Sequence, residues 1–521
     1  MFIRCKSIIK QKFVQYLKVV ISTSSHSAIS FSKPYFILKN DDEVSKIKKY
    51  FACYVISITF AIETDRLLIA HKKEGMDISE LYKLFLKHPV VTTDSRDCPK
   101  GSMFFALKGT SFNGNEFAQS ALQKGCAYAV IDQKEYQIQE DERYILVEDC
   151  LQTLKQLANY HRRTLGTPII GITGTNGKTT TKELLATVLA ERFNVWYTQG
   201  NFNNDIGVPK TLLRLKPEHE IAVVEMGASH PGDIQSLVTV AEPDYALITN
   251  VGRAHLQGFG SFEGVMRTKA ELYDYMQQHK PQGLVFINQD NEYLKEMFRT
   301  HCPNVKAMGY AQTDRSDISI RGEVVSCAPY LKFRWCKTEA VPSPREDIRW
   351  HEVQTQLIGA YNLDNMLAAI TIGSHFGVSD EQMSHALAGY MPSNNRSQLQ
   401  ITAHNKLIVD AYNANPTSME AALTNFQRMD VPKKMAILGD MRELGDVSRA
   451  EHQKIVDLIA TLNLDKVWLV GEEFGRTNTP LRKFKDIEAV KEALRQEPPQ
   501  GYYILIKGSN GIKLFQLPEL L

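Results

Sequence analysis

Gly171-Ile172-Thr173-Gly174-Thr175-Asn176-Gly177-Lys178-Thr179-Thr180 is the stretch on which the fold turns. An apolar run at 168–172 leads into it, and Leu184, Leu185, Val188, Leu189 and Phe193 follow on one helical face. Strand, glycine-rich turn and helix in that order build a phosphate cradle. The glycines let backbone N–H groups close around phosphate oxygens, and the helix N-terminus adds partial positive charge. Lys178 is placed to reach terminal phosphates and Thr179 to hold Mg²⁺. The strict form of this loop has a glycine five positions before Gly177, where this chain has Ile172.

Downstream, strands at 221–225, 245–250 and 284–288 alternate with helical patterns, which predicts a mostly parallel sheet. Glu225 ends the first of them in Val223-Val224-Glu225-Met226-Gly227. Ligands of open α/β sheets bind at that edge, and a carboxylate there can hold a hard divalent cation. Thr249-Asn250-Val251-Gly252-Arg253-Ala254-His255 offers an imidazole to the same edge, and Lys269 follows in Arg267-Thr268-Lys269-Ala270-Glu271. Singly, these residues also read as a strand-end cap, a loop histidine and a solvated helix lysine. Beside a phosphate loop they read as one nucleotide and metal site. Residues 316–357 lack the alternation and read as antiparallel strands. From about Arg396 the α/β rhythm returns, with strands at 407–410, 435–439, 466–471 and 503–507. Upstream, 92–150 reads as a small α/β unit with strands at 102–107 and 127–131 around a helix at 116–125. A helix over 150–163 leads into the phosphate-loop unit.

The bulk composition fits such a reading. A chain of 521 residues, 43% hydrophobic and 23% charged, is an ordinary globular protein of roughly three to four domains. With 61 basic and 59 acidic side chains, the net charge of +2 gives no sign of a nucleic-acid or membrane-surface partner. Eight cysteines without a Cys-x-x-Cys spacing read as reduced thiols of a cytoplasmic protein. The longest apolar stretch, 50–62, falls short of the roughly 20 residues a spanning helix needs. Residues 1–75 carry none of the motifs and are expected to be a non-native or disordered extension ahead of a natural start at Met76. Lys72-Lys73-Glu74-Gly75 are encoded by purine-rich codons, as a ribosome-binding site is. The expected units are 76–165, 166–392 and 393–521.

The loop Gly174-Thr175-Asn176-Gly177-Lys178-Thr179, with Glu225, His255, Gly359-Ala360-Tyr361-Asn362-Leu363-Asp364-Asn365, Arg396 and Val409-Asp410-Ala411-Tyr412-Asn413-Ala414-Asn415-Pro416, resembles the Mur ligase superfamily from about Asp94 to the C-terminus. Further segments resemble the branch that forms the pentapeptide precursor. They are Asp94-Ser95-Arg96 with Phe104–Gly109 after it, Gly200–Pro209, Glu225–Gly232, and Ile437-Leu438-Gly439-Asp440-Met441-Arg442-Glu443-Leu444-Gly445. No Asp-Asn-Pro-Arg motif of the tripeptide-forming branch is present. Lys507-Gly508-Ser509-Asn510 departs from the family's usual Lys-Gly-Ser-Arg.

The resemblance implies an α/β, three-domain architecture: a small N-terminal domain for the UDP-linked substrate, a central P-loop-type domain for ATP, and a Rossmann-like C-terminal domain. It implies a monomeric, ATP-dependent, peptide-bond-forming ligase of peptidoglycan synthesis, and so of cell-wall biogenesis, cell shape and cell division. The substrates would be UDP-N-acetylmuramoyl-tripeptide and D-alanyl-D-alanine, joined through an acyl phosphate. In that reading Gly174, Thr175, Asn176, Gly177, Lys178, Thr179 and Thr180 cradle ATP, Asn362 and Asn365 hold its base, Arg396 reaches the γ-phosphate and Asp410 the ribose. Thr179 and Glu225 hold one Mg²⁺, and His255 with a carbamylated Lys269 serves a second. Lys178, His255, Lys269 and Arg396 carry catalysis. Ser95, Arg96 and Lys108 take the uridine diphosphate end, and Asn201, Asn203 and Asn204 the muramoyl part. The alternatives are another Mur-type ligase, a folylpolyglutamate-synthase-like ligase, which would lack the first domain, and a non-catalytic nucleotide-binding scaffold.

Overall fold

The computed structural model describes residues 76–338, 349–392 and 398–521. The extension expected over 1–75 and the candidate Arg396 lie outside them. The described chain builds three sheets in sequence. The first is small and parallel, with Val91–Thr92 (β1), Met103–Phe105 (β2), Tyr128–Ile131 (β3) and Tyr144–Leu146 (β4) in the order β1-β2-β3-β4. Helix α1 (Cys150–Leu165) follows it, opened by Asp149 accepting from the Gln152 N–H and closed by Gly166 in the left-handed region.

The central sheet has nine strands: Ile169–Thr173 (β5), Val195–Tyr197 (β6), Ile221–Glu225 (β7), Tyr245–Ile248 (β8), Leu284–Asn288 (β9), Lys306–Ala311 (β10), Ile320–Cys327 (β11), Tyr330–Lys337 (β12) and His351–Ile358 (β13). Their order is β13-β12-β11-β10-β9-β8-β5-β7-β6. The chain leaves β5 toward β7 on one side and returns to β8 on the other. The carboxyl end of β5 is therefore a topological switch point, where crevices open in α/β sheets. β11, β12 and β13 are antiparallel, as the loss of alternation over 316–357 predicts.

Residues 398–521 form a six-stranded sheet of Gln398–Ile401 (β14), Lys406–Asp410 (β15), Lys434–Gly439 (β16), Lys466–Val470 (β17), Arg482–Phe484 (β18) and Tyr503–Lys507 (β19). All its pairings are parallel except β14 with β15. The β-strands β6, β10 and β18 escape a pattern reading. β6 and β18 are three residues long, and β10 carries no β-branched residue.

Packing fixes how these layers meet. One apolar cluster runs from Leu81, Phe85 and Phe105 of the first unit through Leu154 and Leu157 of α1 to Val224, Ala246 and Val285 of the central sheet. Arg162 secures that joint, donating to the Ala241 and Glu242 carbonyls at 2.8 and 2.7 Å and to Asp244 at 3.1 Å. On the opposite face, helix α2 (Lys178–Ala190) packs against helix α3 (Asn362–His375), with Leu184, Leu185, Val188, Met366 and Ile370 fully buried. The helix that carries the phosphate loop is thus set by a core, not by its own propensity. Leu185→Ala is expected to cost about 2–5 kcal/mol of stability by leaving a cavity there. A lowered first transition in thermal or urea unfolding, with secondary structure intact at 25 °C, checks this.

Candidate active site

The loop after β5 takes its shape from backbone freedom and from β8. Gly174 has φ +142°, and a Cβ there would lie 2.1 Å from Thr249 Oγ1. Gly177, at φ +78°, stands at the N-cap of α2, and a Cβ there would meet Asn365 Oδ1 at 2.6 Å. Neither position tolerates a side chain. The strand-end residues of β8 pin the turn: the Thr175 N–H donates to the Asn250 carbonyl at 2.9 Å, the Asn176 N–H to Asn250 Oδ1 at 3.0 Å, and Thr249 Oγ1 to the Asn176 carbonyl at 2.6 Å. Lys178 Nζ donates to the Gly174 and Thr175 carbonyls at 2.7 and 3.1 Å.

This loop lines a cavity of about 830 Å³. Its floor is the carboxyl edge of the central sheet, with Glu225, Asn250 and His255. One wall is the loop holding Asn201, Asn203 and Asn204, and the other comes from the last sheet, with Asp410, Asn415 and Lys507. Asn415 Nδ2 donates to Asn176 Oδ1 at 2.8 Å, so the last sheet touches the phosphate loop directly.

Glu225 is 1% exposed, and Oε1 accepts from Asn203 Nδ2 at 2.8 Å and Thr179 Oγ1 at 3.2 Å. Its Oε2 accepts no hydrogen bond and lies 3.7 Å from Lys182 Nζ, whose side chain is fully buried. A buried carboxylate oxygen left open beside a threonine hydroxyl fits a hard cation that completes its shell with phosphate oxygens and water. No cluster of three or more His, Cys, Asp or Glu residues suited to a metal exists among the described residues. A divalent ion here would share its shell with bound substrate.

His255 sits at φ +50° beyond β8 and pairs with Glu443 from the last sheet. Burial pushes its imidazole below the ordinary range; Glu443 opposes that shift, while Lys178 and Lys269 add to it. Lys269, on the helix Phe262–His279, is 2% exposed and forms no hydrogen bond or ion pair among the described residues. Its Nζ lies 5.6 Å from the Phe259 ring centroid. Burial, and next the charge of Lys178, hold its ammonium far below the usual lysine range.

Asn362 and Asn365 line the cavity with their amides already engaged. Asn365 Oδ1 accepts from Thr181 Oγ1 at 3.0 Å, its Nδ2 donates to Asn362 Oδ1 at 2.9 Å, and Asn362 Nδ2 donates to the Ile358 carbonyl at 2.8 Å. Both brace α2 against α3. Asp410 accepts from Lys507 Nζ at 2.5 Å. Ser95, Arg96 and Lys108 do not line the cavity. Arg96 is exposed and forks onto Asp94 at 2.8 and 2.9 Å, while Lys108 pairs with buried Asp132 at 3.2 Å. Sequence reasoning missed Lys182, Asn415 and Lys507. Lys182 is a lysine one turn beyond Lys178, and nothing local tells a buried lysine from a solvated one.

Known proteins share this arrangement from residue 89 to residue 510. Residues 89–162 match the Mur ligase family catalytic domain, 172–373 the Mur ligase middle domain, and 395–510 the Mur ligase glutamate ligase domain. The UDP-N-acetylmuramoyl-tripeptide–D-alanyl-D-alanine ligase of Bacillus subtilis (strain 168) is 33% identical over 470 residues, 86% of this chain and 97% of that protein. The crystal structure of MurF from Acinetobacter baumannii superposes with a TM-score of 0.74 at 29% identity, covering 86% of this chain and 98% of that one. MurF ligase from Thermotoga maritima in complex with ADP gives 0.71 at 25% identity, over 83% and 96% of the two chains. With the fold, the phosphate loop and full-length similarity in agreement, the chain belongs to the Mur ligase family, in the branch of the UDP-N-acetylmuramoyl-tripeptide–D-alanyl-D-alanine ligases.

Proposed function

We propose that this chain joins D-alanyl-D-alanine to UDP-N-acetylmuramoyl-tripeptide at the expense of ATP, giving the UDP-linked pentapeptide of peptidoglycan synthesis. The observation that carries this is a phosphate-loop cavity walled by two sheets in a chain similar over 86% of its length to a ligase of that name. The tripeptide carboxylate attacks the γ-phosphate, releasing ADP and leaving an acyl phosphate. The amine of the dipeptide then attacks the acyl carbon and phosphate departs.

Two anions must approach each other in the first step, so the residues that matter concentrate positive charge. Lys178, held on the loop carbonyls in the resting site, exchanges those acceptors for phosphate oxygens, while the loop N–H groups and the α2 N-terminus receive the rest. Thr179 and Glu225 would hold Mg²⁺, which supplies charge neutralisation between the terminal phosphates. His255 and Lys269 would serve a second ion nearer the attacking carboxylate. An ammonium at Lys269 would repel a cation. Burial disfavours the ammonium of Lys269, and as the neutral amine its lone pair can attack CO₂ and form a carbamate; the proton lost leaves to solvent. Arg396 is assigned to the γ-phosphate, Asp410 to the ribose, Asn362 and Asn365 to the edge of the base pocket, Asn201, Asn203 and Asn204 to the muramoyl end, and Ser95, Arg96 and Lys108 to the uridine diphosphate. Closure of the last sheet over the loop keeps water from the acyl phosphate.

We assign the reaction to the cytoplasm and to a monomer. The cytoplasm is where ATP and a UDP-linked precursor would meet, and the cysteines, without a Cys-x-x-Cys spacing, read as reduced thiols.

ADP and phosphate release with UDP-muramoyl-tripeptide is expected to require D-alanyl-D-alanine, with a product heavier by that dipeptide in mass spectrometry. Turnover with a single amino acid instead would move the chain to a sister ligase. For Lys269, enzyme stripped of CO₂ should lose most of its activity and recover it with bicarbonate. Lys269→Ala should fall by about 10²-fold or more under both conditions. Full activity in the variant would remove Lys269 from the site.

A further inference from the structure

A site that gathers positive charge for two anions creates a difficulty for the second half of the reaction, because the acceptor arrives as an ammonium. Lys178 lines the cavity, and its charge repels an incoming cation. An acidic group is needed on the acceptor side. Three of the carboxylates nearby are already saturated or sealed. Asp233 Oδ2 accepts from the Ser229 and His230 N–H groups, each at 2.8 Å, and Glu271 from the Gly232 and Gln235 N–H groups, also at 2.8 Å. Glu225 is buried behind Thr179.

Glu443 differs from all of them. Its side chain is 59% exposed, yet its carboxylate reaches across from the last sheet to His255 Nδ1. Its backbone is left-handed at φ +63°, an uncommon conformation for a non-glycine residue. The Gln257 N–H donates to its carbonyl at 3.2 Å, fixing the loop against the turn after His255. A left-handed backbone held by a specific contact, setting an exposed carboxylate against His255, which lines the cavity, is the kind of feature that functional sites retain.

Building on the ligation reading above, we propose that Glu443 is the acceptor-recognition residue: its carboxylate leaves His255 and binds the ammonium of the incoming dipeptide beside the acyl carbon, where the nitrogen loses a proton to solvent before it attacks and phosphate leaves. The proposal uses charge and reach only. It also gives the last sheet a role in selecting the acceptor as well as in covering ATP.

The test compares a cationic acceptor with a neutral one. Hydroxylamine, mostly uncharged near neutral pH, captures an acyl phosphate by nitrogen attack; phosphate leaves, a proton goes to solvent and a hydroxamate remains. Wild type, Glu443→Gln and Glu443→Asp are assayed with D-alanyl-D-alanine and with hydroxylamine. Glu443→Gln should lower kcat/KM for the dipeptide roughly 10- to 100-fold relative to hydroxylamine, mainly through KM, with Glu443→Asp recovering part of the loss. If both nucleophiles lose equally, Glu443 only docks the last sheet and the proposal is overturned; if neither loses, it is overturned too. Wild type that forms hydroxamate but ignores the dipeptide would instead defeat the ligation reading.

Discussion

Glu225 holds the site together. Through one buried carboxylate, strand β7 is tied to the phosphate-loop helix by Thr179 and Lys182 and to the 199–204 loop by Asn203. Its own N–H donates to Thr198 Oγ1 at 3.0 Å, which adds the end of β6. A carboxylate this deep needs its charge balanced, and removing one partner of a buried pair typically costs about 3–5 kcal/mol. Lys182, which also donates to the Gly200 carbonyl at 3.3 Å, is therefore part of the nucleotide site although it does not line the cavity.

The interface with the last sheet follows a different logic. Around the phosphate loop its contacts are polar: Asn176 with Asn415, the Arg253 N–H with Thr417 Oγ1 at 3.1 Å, and the Arg253 guanidinium with Glu420 at 2.9 Å, while further out Ile358 of β13 is buried in the apolar cluster of the last unit. Glu451, buried beside Arg253 at 3.7 Å, keeps one oxygen without a hydrogen bond. Contacts of this kind can be exchanged for contacts to a ligand at small net cost, whereas the apolar joint between α1 and the central sheet cannot. The first unit and the central sheet thus share one apolar cluster, and the last sheet meets them partly through polar groups beside the cavity and partly through Ile358.

Much of this was legible in the sequence where chemistry and local pattern coincide. The phosphate loop, Glu225 and His255 each sit at the end of an apolar strand, so motif and edge could be read together. The antiparallel run over β11–β13 was legible as a break in rhythm. What could not be read is pairing across distance. The motif assigns Asn365 to a nucleotide base but cannot show that its Oδ1 is also engaged by Thr181, 184 residues earlier. Lys182 reads locally as a solvated helix lysine, and only the fold buries it. Glu443 lay in a quoted motif, but its contact with His255 depends on how two sheets meet, which no local period encodes.

The ends of β15 and β19 show why such distant pairing matters for assembly of the site. Asp410 and Lys507 are register partners on adjacent parallel strands, so the ladder itself sets their side chains beside each other at the carboxyl edge. Lys507 is 2% exposed and also donates to the Asn413 carbonyl at 3.4 Å. The Asp410 carboxylate is therefore oriented before any ligand arrives. A group already ordered by its own sheet loses little side-chain entropy when it meets a partner, so more of each new contact appears as binding. On the function proposed above, the last sheet would meet ATP as a pre-charged surface, and the free energy of closure would go into excluding water instead of ordering side chains.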